Sequence, residues 1–225
     1  TEAELIQFQT QGYFTVKGVL EEDKYRSLYH KVMERYHSAT RPKPSSPYTE
    51  TALFSSDSEF LSLIDHPRIF SKVVGLMGDN IRLFSSQLLV KPPRLDEKDR
   101  RYWHVDGPFN LYPAAHEAVP LLQLKVMIAL SDVSEHGRGN LMVVPGSHHA
   151  PQIRQFESLP DEQRIKDMPG QVEVLQERGD VTFFHQSLWH TPGNNRSNEP
   201  RVNIINAYCY VWAHPFDYDP ANLSP

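Results

Sequence analysis

The first eighty residues carry the spacing of amphipathic helices, interrupted by one early strand. Within residues 21–36, apolar side chains recur every three or four positions and so share one helical face: Tyr25, Leu28, Tyr29, Val32 and Tyr36. Two shorter helices are predicted at residues 58–63 and at Pro67–Met77, the second with proline in its first turn and Gly78 just past its end. Residues 14–16 are expected to form a strand, and the proline-rich residues 41–46 a loop.

The pattern changes at Ile81 to short runs of β-branched and aromatic residues separated by Gly, Pro and Asn. Seven such runs predict strands, at residues 81–90, 102–105, 121–130, 140–144, 172–175, 181–184 and 202–212. Further helix is expected only at residues 161–166. Short strands at this spacing favour a sandwich or jelly roll over βαβ units. We therefore predict a mainly β fold with N-terminal helices, in one domain of residues 1–225, with residues 1–80 as a helical buttress and residues 81–212 as the core.

The composition excludes several classes of protein. Of the 225 residues, 39% are hydrophobic and 23% are charged, which is ordinary for a folded globular chain. The net charge of -5, with Lys and Arg scattered, leaves no basic surface for a phosphate backbone, so nucleic acid is not an expected partner. No stretch approaches the roughly 20 apolar residues of a membrane helix, so no membrane partner is expected either. The single cysteine, Cys209, lies in an apolar run and is predicted to be a buried core residue in a reducing, cytoplasmic setting.

Two histidines and one aspartate could converge on a metal ion. His104 and Asp106 are two residues apart at the end of a predicted strand, so their side chains should point to the same face. His190 ends a second strand-like segment 86 residues further on. Two imidazoles and a carboxylate on one face of an octahedral ion leave other positions open, which a ferrous oxygenase needs for 2-oxoglutarate and dioxygen. A His-x-Asp pair also arises by chance in a chain with eleven histidines, so a further residue has to support this interpretation.

A buried cation would supply the anchor that a dicarboxylate needs. Arg201 lies eleven residues after His190 at the start of the last long strand, and a guanidinium offers a rigid fork of donors to a carboxylate. Arg196 and Lys125 are alternatives for this role. Four residues share one face of the predicted strand 121–130: Gln123, Lys125, Met127 and Ala129. Lys125 is therefore either a buried cation close to the metal or a strand-edge residue in water.

Four segments within residues 87–210 match one known family in order and near its spacing. They are residues 90–93 (VKPP), residues 104–106 (HVD), residues 139–148 (GNLMVVPGSH) and residues 179–190 (GDVTFFHQSLWH), the last followed by Arg201. On these segments the chain resembles the phytanoyl-CoA dioxygenase family of 2-oxoglutarate-dependent oxygenases.

The resemblance implies a double-stranded β-helix, or jelly roll, that binds iron and a co-substrate. Fe(II) would be held by His104, Asp106 and His190, and the distal carboxylate of 2-oxoglutarate by Arg201. The implied activity is hydroxylation by O2, coupled to oxidative decarboxylation of 2-oxoglutarate to succinate and CO2. The carboxylate of Asp106 favours hydroxylation, because halogenating relatives replace it, while desaturation and ring formation stay open.

The resemblance also implies further residues around the co-substrate. Gln87 and Met127 are expected to line it. Where the family has Ser or Thr two residues after the second metal histidine, this chain has Pro192, and the hydroxyl of the adjacent Thr191 is the candidate substitute.

The substrate is expected to be a small organic molecule, anionic if Lys125 faces it, and the protein a monomer or a weak dimer. Residues 94–101 and the loop around His116 are candidate lids. Four aromatic residues are candidates for a mouth over the substrate: Trp103, Phe109, Tyr112 and Trp189. His148 and His149 are interpreted as structural residues, and His185 as a poor fourth ligand.

Two other functions fit part of the pattern. Two His and one carboxylate with an open position also suit catalytic zinc, so a zinc hydrolase is an alternative, although it gives no role to Arg201. A non-catalytic jelly-roll binding module that retains the three residues is the other.

Overall fold

The computed structural model describes residues 1–41, 46–94, 102–106, 119–149, 160, 162 and 167–219. The helices are α1 (Glu2–Gln11), α2 (Glu22–Ser38), α3 (Ser58–Leu61) and α4 (Pro67–Met77), with a short 3-10 turn at Leu53–Ser55. The strands are β1 (Tyr13–Val16), β2 (Tyr48–Thr51), β3 (Ile81–Lys91), β4 (Gln123–Ala129), β5 (Leu141–Val143), β6 (Val172–Val174), β7 (Val181–His185), β8 (His190–Pro192) and β9 (Arg201–Tyr210).

The described strands form two sheets in which every pairing is antiparallel. One sheet has six strands in the order β1-β7-β4-β9-β3-β2, and the other has three in the order β6-β5-β8. Most neighbours in the larger sheet are distant in the chain, as expected when strands cross between two packed sheets. The predicted mainly β jelly roll with N-terminal helices is confirmed.

Successive residues of a strand point to opposite sides, and in the central strands β4, β7 and β9 nearly all of them are buried, so the middle of the six-stranded sheet is buried on both faces. On β4, Leu124, Val126 and Ile128 belong to the core cluster shared with the helices, whereas Met127 packs with Leu141 of β5 on the inner side. Helical residues in the outer cluster include Leu28, Val32, Phe60, Ile69 and Val73. The sheet therefore separates a helical layer from the space between the two sheets.

The two long packed helices each bury one apolar stripe. The buried residues are Leu28, Val32 and Tyr36 in α2, and Ile69, Val73 and Met77 in α4, in each case four residues apart. Pro67 begins α4 in its first turn, where its missing N–H is not needed, and Gly78 ends it with a φ of 79°. These helices agree with the predicted ones to within two residues: α2 ends at Ser38 rather than at Tyr36, and α3 ends at Leu61 rather than at residue 63.

The strands differ from the prediction in two respects, and one predicted helix is not tested. The expected strand at residues 102–105 is wrong: this segment makes a single bridge, between His104 and His190. Strands β2 and β8 were not predicted, because β2 is a polar edge strand and β8 has three residues that end in Pro192. The predicted helix at residues 161–166 lies outside the described residues, apart from Glu162.

Cys209 is fully buried on β9, as predicted. Among the described helices, none has both the length and the apolar character needed to cross a bilayer.

Two buried histidines lie between α1 and the larger sheet. His185 ends β7 beside Phe8 of α1, with ring centroids 6.2 Å apart, and its Nδ1 accepts the N–H of Ser187 at 3.0 Å. His148 packs next to it and places Nε2 3.1 Å from the carbonyl oxygen of Gln9. Burial lowers the pKa of His148 to about 4 and that of His185 to about 3. Both side chains are therefore neutral in the folded protein at neutral pH.

These histidines should make the protein less stable in acid. An unfolded histidine takes up a proton below about pH 6.5, whereas the folded ones stay neutral to a much lower pH, so their contribution to stability is lost as the pH falls. At pH 5 the loss is about 2 kcal/mol for each histidine. We expect the free energy of unfolding, measured with urea at pH 7 and pH 5, to fall about 2 kcal/mol less in His185→Gln than in the wild type. His136→Gln, at an exposed histidine, is the control, and an equal fall in all three proteins would contradict the prediction.

Candidate metal centre and its cavity

The three predicted metal ligands meet where the segment 102–106 touches β8. The N–H groups of His104 and His190 each donate to the other residue's carbonyl oxygen, at 3.1 and 3.0 Å. The N–H of Asp106 donates to the carbonyl oxygen of Gln186 at 2.9 Å. These three backbone hydrogen bonds hold the two segments together, although residues 102–106 do not form a regular strand.

The ligand atoms of these residues are close enough to share one ion. Nε2 of His104 lies 3.9 Å from Oδ1 of Asp106, and Nε2 of His190 lies 3.6 Å from Oδ2 of the same carboxylate. All three ligand atoms lie within 4.8 Å of one another. Two imidazole nitrogens and one carboxylate oxygen form the donor set of a facial Fe(II) centre with open positions, and the residues present fit that ion.

Both imidazole rings are oriented by a carbonyl group two residues earlier in the chain. Nδ1 of His104 lies 2.7 Å from the oxygen of Tyr102, and Nδ1 of His190 lies 2.8 Å from the oxygen of Leu188. An imidazole whose Nδ1–H donates to a carbonyl keeps the lone pair of Nε2 free for a metal. The two rings are therefore set in the tautomer that a ligand needs.

The protonation states of the residues at the centre also suit the binding of a metal cation. Burial acts to raise the pKa of Asp106, but the positive charge of Lys125, together with His190 and His104, outweighs it, so this pKa lies below its ordinary value. Burial, and then the neighbouring His104, lowers the pKa of His190 to about 4. At neutral pH the centre thus presents a carboxylate and an unprotonated imidazole.

A cavity of about 210 Å³ lies over the centre, between the two sheets. Its described lining residues are Gln87, Leu89, His104, Asp106, Lys125, Met127, Leu141, Phe184, His190, Pro192, Arg201 and Ile205. Gln87 and Met127, expected to line a co-substrate, both belong to it. They lie in one row across the sheet, since each is paired with Ile205 of β9.

Arg201 contributes a buried positive charge to the same cavity. Its side chain is 5% exposed, and Nη2 lies 3.7 Å from Sδ of Met127. With its amide oriented to satisfy both groups, Asn203 accepts hydrogen bonds from Nη2 at 2.7 Å and from Nε at 3.0 Å. Burial lowers the pKa of Arg201 to about 10, so the guanidinium keeps its charge at neutral pH. No carboxylate among the described residues balances that charge, which suits a ligand carboxylate.

Two residues beside Arg201 were not identified from the sequence. Asn203 is two positions further along β9, so strand alternation could have placed it on the same face. Gly139 packs against the arginine: a Cβ there would lie 3.2 Å from Cδ of Arg201, and its φ of 80° disfavours other residues. Gly139 begins the segment GNLMVVPGSH, which was identified from the sequence, but its contact with Arg201 could not be predicted from that segment.

The three candidate anchors for the co-substrate carboxylate, Arg201, Arg196 and Lys125, lie in different surroundings. Arg196 is exposed, its N–H donates to the carbonyl of Gly137 at 2.7 Å, and it does not line the cavity. Lys125 lies at the metal centre, with Nζ 3.4 Å from Oδ2 of Asp106. The strand-edge interpretation of Lys125 is wrong, because β4 is paired on both sides and this side chain is 12% exposed.

Thr191 does not take the place that the sequence suggested. Its Oγ1 accepts the N–H of Tyr102 at 3.0 Å, and it is absent from the cavity lining, whereas its neighbours His190 and Pro192 belong to it. The reason is strand alternation in β8, which turns Thr191 to the opposite side. Its hydroxyl therefore fixes the segment that carries His104 and does not approach Arg201.

The predicted aromatic mouth is only partly described. Trp103 and Trp189 are buried at 3% and 2% exposure in one cluster, with Met142, Val144 and Met168. They are core residues rather than an open mouth. Phe109, Tyr112 and His116, and all of the predicted lid 94–101 except Arg94, lie outside the described residues.

Comparison with known proteins agrees with this centre. Residues 8–203 match the family model of Phytanoyl-CoA dioxygenase (PhyH). Bovine peroxisomal phytanoyl-CoA dioxygenase is 27% identical over 178 residues, which cover 74% of this chain and 50% of that protein. The ectoine dioxygenase of Sphingopyxis alaskensis is 28% identical over 152 residues, covering 59% of this chain and 48% of that protein. The chain thus spans about half the length of these curated relatives.

Solved structures share the fold over nearly the whole chain. The non-heme alpha ketoglutarate dependent carbocyclase SnoK from nogalamycin biosynthesis is 25% identical with a TM-score of 0.74, covering 100% of this chain and 91% of that one. HygX from Streptomyces hygroscopicus, with nickel and 2-oxoglutarate bound, is 18% identical with a TM-score of 0.76, covering 97% of this chain and 90% of that one. Since the family match spans the three clustered residues and Arg201 as well, the chain belongs to the phytanoyl-CoA dioxygenase family.

Proposed function

We propose that this protein is an Fe(II)- and 2-oxoglutarate-dependent dioxygenase that hydroxylates a small organic molecule, and that residues 1–225 act as a single oxygenase domain. One observation carries the proposal: the cluster of His104, Asp106 and His190 shares a cavity with the buried cation Arg201, which no carboxylate of the described residues pairs with. A metal centre alone fits many reactions. A metal centre with a carboxylate anchor in the same cavity fits a dicarboxylate co-substrate.

The residues of the chain would bind and orient the reactants. His104, Asp106 and His190 would hold Fe(II), which with 2-oxoglutarate and O2 supplies the oxidising power while 2-oxoglutarate is converted to succinate and CO2. Arg201 would pair with the distal carboxylate of 2-oxoglutarate and so fix its direction in the cavity. Gln87 and Met127 would line the co-substrate, and the apolar walls around them would exclude water.

The two alternatives have less support. A zinc hydrolase needs a general base near its bound water, and the described lining of the cavity has no carboxylate or histidine beyond the three clustered residues. A non-catalytic binding module would give no reason for an oriented pair of imidazoles beside a buried guanidinium.

Hydroxylation is the outcome that Asp106 supports, because the carboxylate occupies the position that halogenating relatives vacate. Solved structures of this fold include the carbocyclase SnoK, the epimerase SnoN with nogalamycin RO bound, and HygX with hygromycin B bound. We propose a substrate of similar class, a small organic molecule, and one that is anionic because Lys125 lies at the centre. A monomer or weak dimer in the cytoplasm stays a prediction.

The metal ligands can be tested without turnover. Mn(II) should raise the melting temperature of the wild type, because a ligand present at 100 times its Kd stabilises the folded state by about 2.7 kcal/mol. His104→Ala, Asp106→Ala and His190→Ala should each lose most of this shift, while His136→Ala should keep it. A full shift in any of the first three would remove that residue from the ligand set.

The co-substrate is tested by anaerobic titration of the Fe(II)-loaded protein with 2-oxoglutarate. A weak visible charge-transfer band of the chelate should appear in the wild type and be absent in His190→Ala. Iron that binds without any such band would favour the zinc or binding-module alternative.

The anchor is tested by comparing two arginines. Arg201→Ala should raise the Kd for 2-oxoglutarate by about tenfold for one lost charge-assisted hydrogen bond, and by about a hundredfold or more for two. Arg201→Lys should recover part of the affinity, and Arg196→Ala should bind like the wild type. Calorimetric titration of the Mn(II)-loaded proteins gives these constants. If Arg196→Ala weakens binding and Arg201→Ala does not, the anchor has been misassigned.

A further inference from the structure

Lys125 occupies an unusual place for a lysine. It lies on β4, which is paired to β7 through Phe184 and to β9 through Ala207, so its backbone is fixed on both sides. Its side chain is 12% exposed, and Nζ lies 3.4 Å from Oδ2 of Asp106. The same oxygen faces Nε2 of His190 at 3.6 Å. A buried ammonium group therefore stands directly beside the place for a divalent cation.

Within the part of the chain that the structure describes, this arrangement leaves the centre short of negative charge. A buried ammonium beside a dication is unfavourable unless anions accompany them. Among the described residues of the cavity, Asp106 is the only carboxylate, and it would be shared between the ion and Lys125. With one negative charge from the chelating end of 2-oxoglutarate added, one positive charge is still not compensated by these residues. The charge of Arg201 does not change this balance, because the distal carboxylate would neutralise it.

Lys125 and Arg201 serve different parts of the cavity. Lys125 is paired with Ala207, six residues along β9 from Arg201, which is about 20 Å of extended backbone. The long side chain of Arg201 extends toward Met127 and stays at that end of the cavity. One dicarboxylate anchored at Arg201 therefore leaves Lys125 available on the metal side.

We propose that Lys125 is a positioning and selectivity residue that makes the metal centre a receptor for an anionic group of the substrate. It holds Oδ2 of Asp106 and keeps a positive charge beside the ion. It thereby weakens binding of the bare dication and strengthens binding of an anion next to it. This inference rests on the proposed function and narrows its substrate class to small molecules that carry a carboxylate, sulfate or phosphate group near the carbon that is oxidised.

The proposal predicts opposite changes in two affinities, which a purely structural lysine would not produce. Lys125→Met keeps an unbranched side chain of similar length and removes the charge. Lys125→Arg keeps the charge. Lys31→Met is the control, because Lys31 pairs with Asp57 and Glu59 in the helical layer. Calorimetry would measure Mn(II) binding to the metal-free proteins, then 2-oxoglutarate binding to the Mn(II)-loaded proteins, then sulfate binding with both present.

Lys125→Met should bind Mn(II) about fivefold more tightly, and 2-oxoglutarate and sulfate about tenfold more weakly, than the wild type. Lys125→Arg and Lys31→Met should resemble the wild type. If Lys125→Met loses affinity for Mn(II) and for anions together, the lysine only supports Asp106 and the proposal is overturned. Unchanged affinities would overturn it as well.

A result that contradicts the proposed function can be distinguished from one that contradicts the role of Lys125. A wild-type protein that binds Mn(II) but not 2-oxoglutarate would contradict the oxygenase proposal. The Mn(II) and sulfate affinities of Lys125→Met would still decide the role of Lys125 in that case. Tighter Mn(II) binding with weaker sulfate binding would support it, and any other combination would overturn it.

Discussion

The site depends on one constraint, the alternation of side chains across a sheet that is buried on both faces. On β4, Leu124 and Val126 point into the helical core, and this sets Lys125 and Met127 toward the cavity. A shift of one residue in the pairing of β4 would exchange the two sets, placing a lysine in the apolar core. The hydrophobic packing of the helices therefore holds the register that positions the polar groups of the cavity.

The metal centre uses a second kind of support, because two of its candidate ligands do not lie on a regular strand. Residues 102–106 are held by the paired backbone hydrogen bonds of His104 with His190. The N–H of Asp106 also donates to the carbonyl oxygen of Gln186, and the N–H of Tyr102 donates to Oγ1 of Thr191. These few hydrogen bonds hold the segment in place, as the hydrogen bonds of a regular strand pair would. The segment is thus joined to β8, so that His104 and Asp106 on one side of this contact and His190 on the other depend on the same hydrogen bonds.

The sequence predicted what repeats along an element and missed what depends on distant partners. The four-residue stripes of α2 and α4 and the alternation in β4 are local, so those elements and the common face of Lys125 and Met127 could be predicted directly, but not the burial of that face. The cluster of three ligands followed from residue chemistry combined with family resemblance. By contrast, the short strand β8 exists because it pairs with β5, and its register decides that Thr191 turns away from the cavity. No pattern within three residues contains that information.

The same reasoning explains why Arg201 and Lys125 are difficult to interpret from sequence alone. Burial of either cation opposes folding, so neither is explained by stability. Arg201 shares its cavity with no balancing carboxylate among the described residues, and Lys125 shares a single carboxylate with a centre suited to a dication. Natural sequences place charged groups in such unfavourable surroundings mainly where function requires it. The charge of Arg201, and that of Lys125 beside the metal site, therefore point to anionic ligands at both ends of the cavity. The apolar cores on either face of the larger sheet supply the stability that such a cavity lacks.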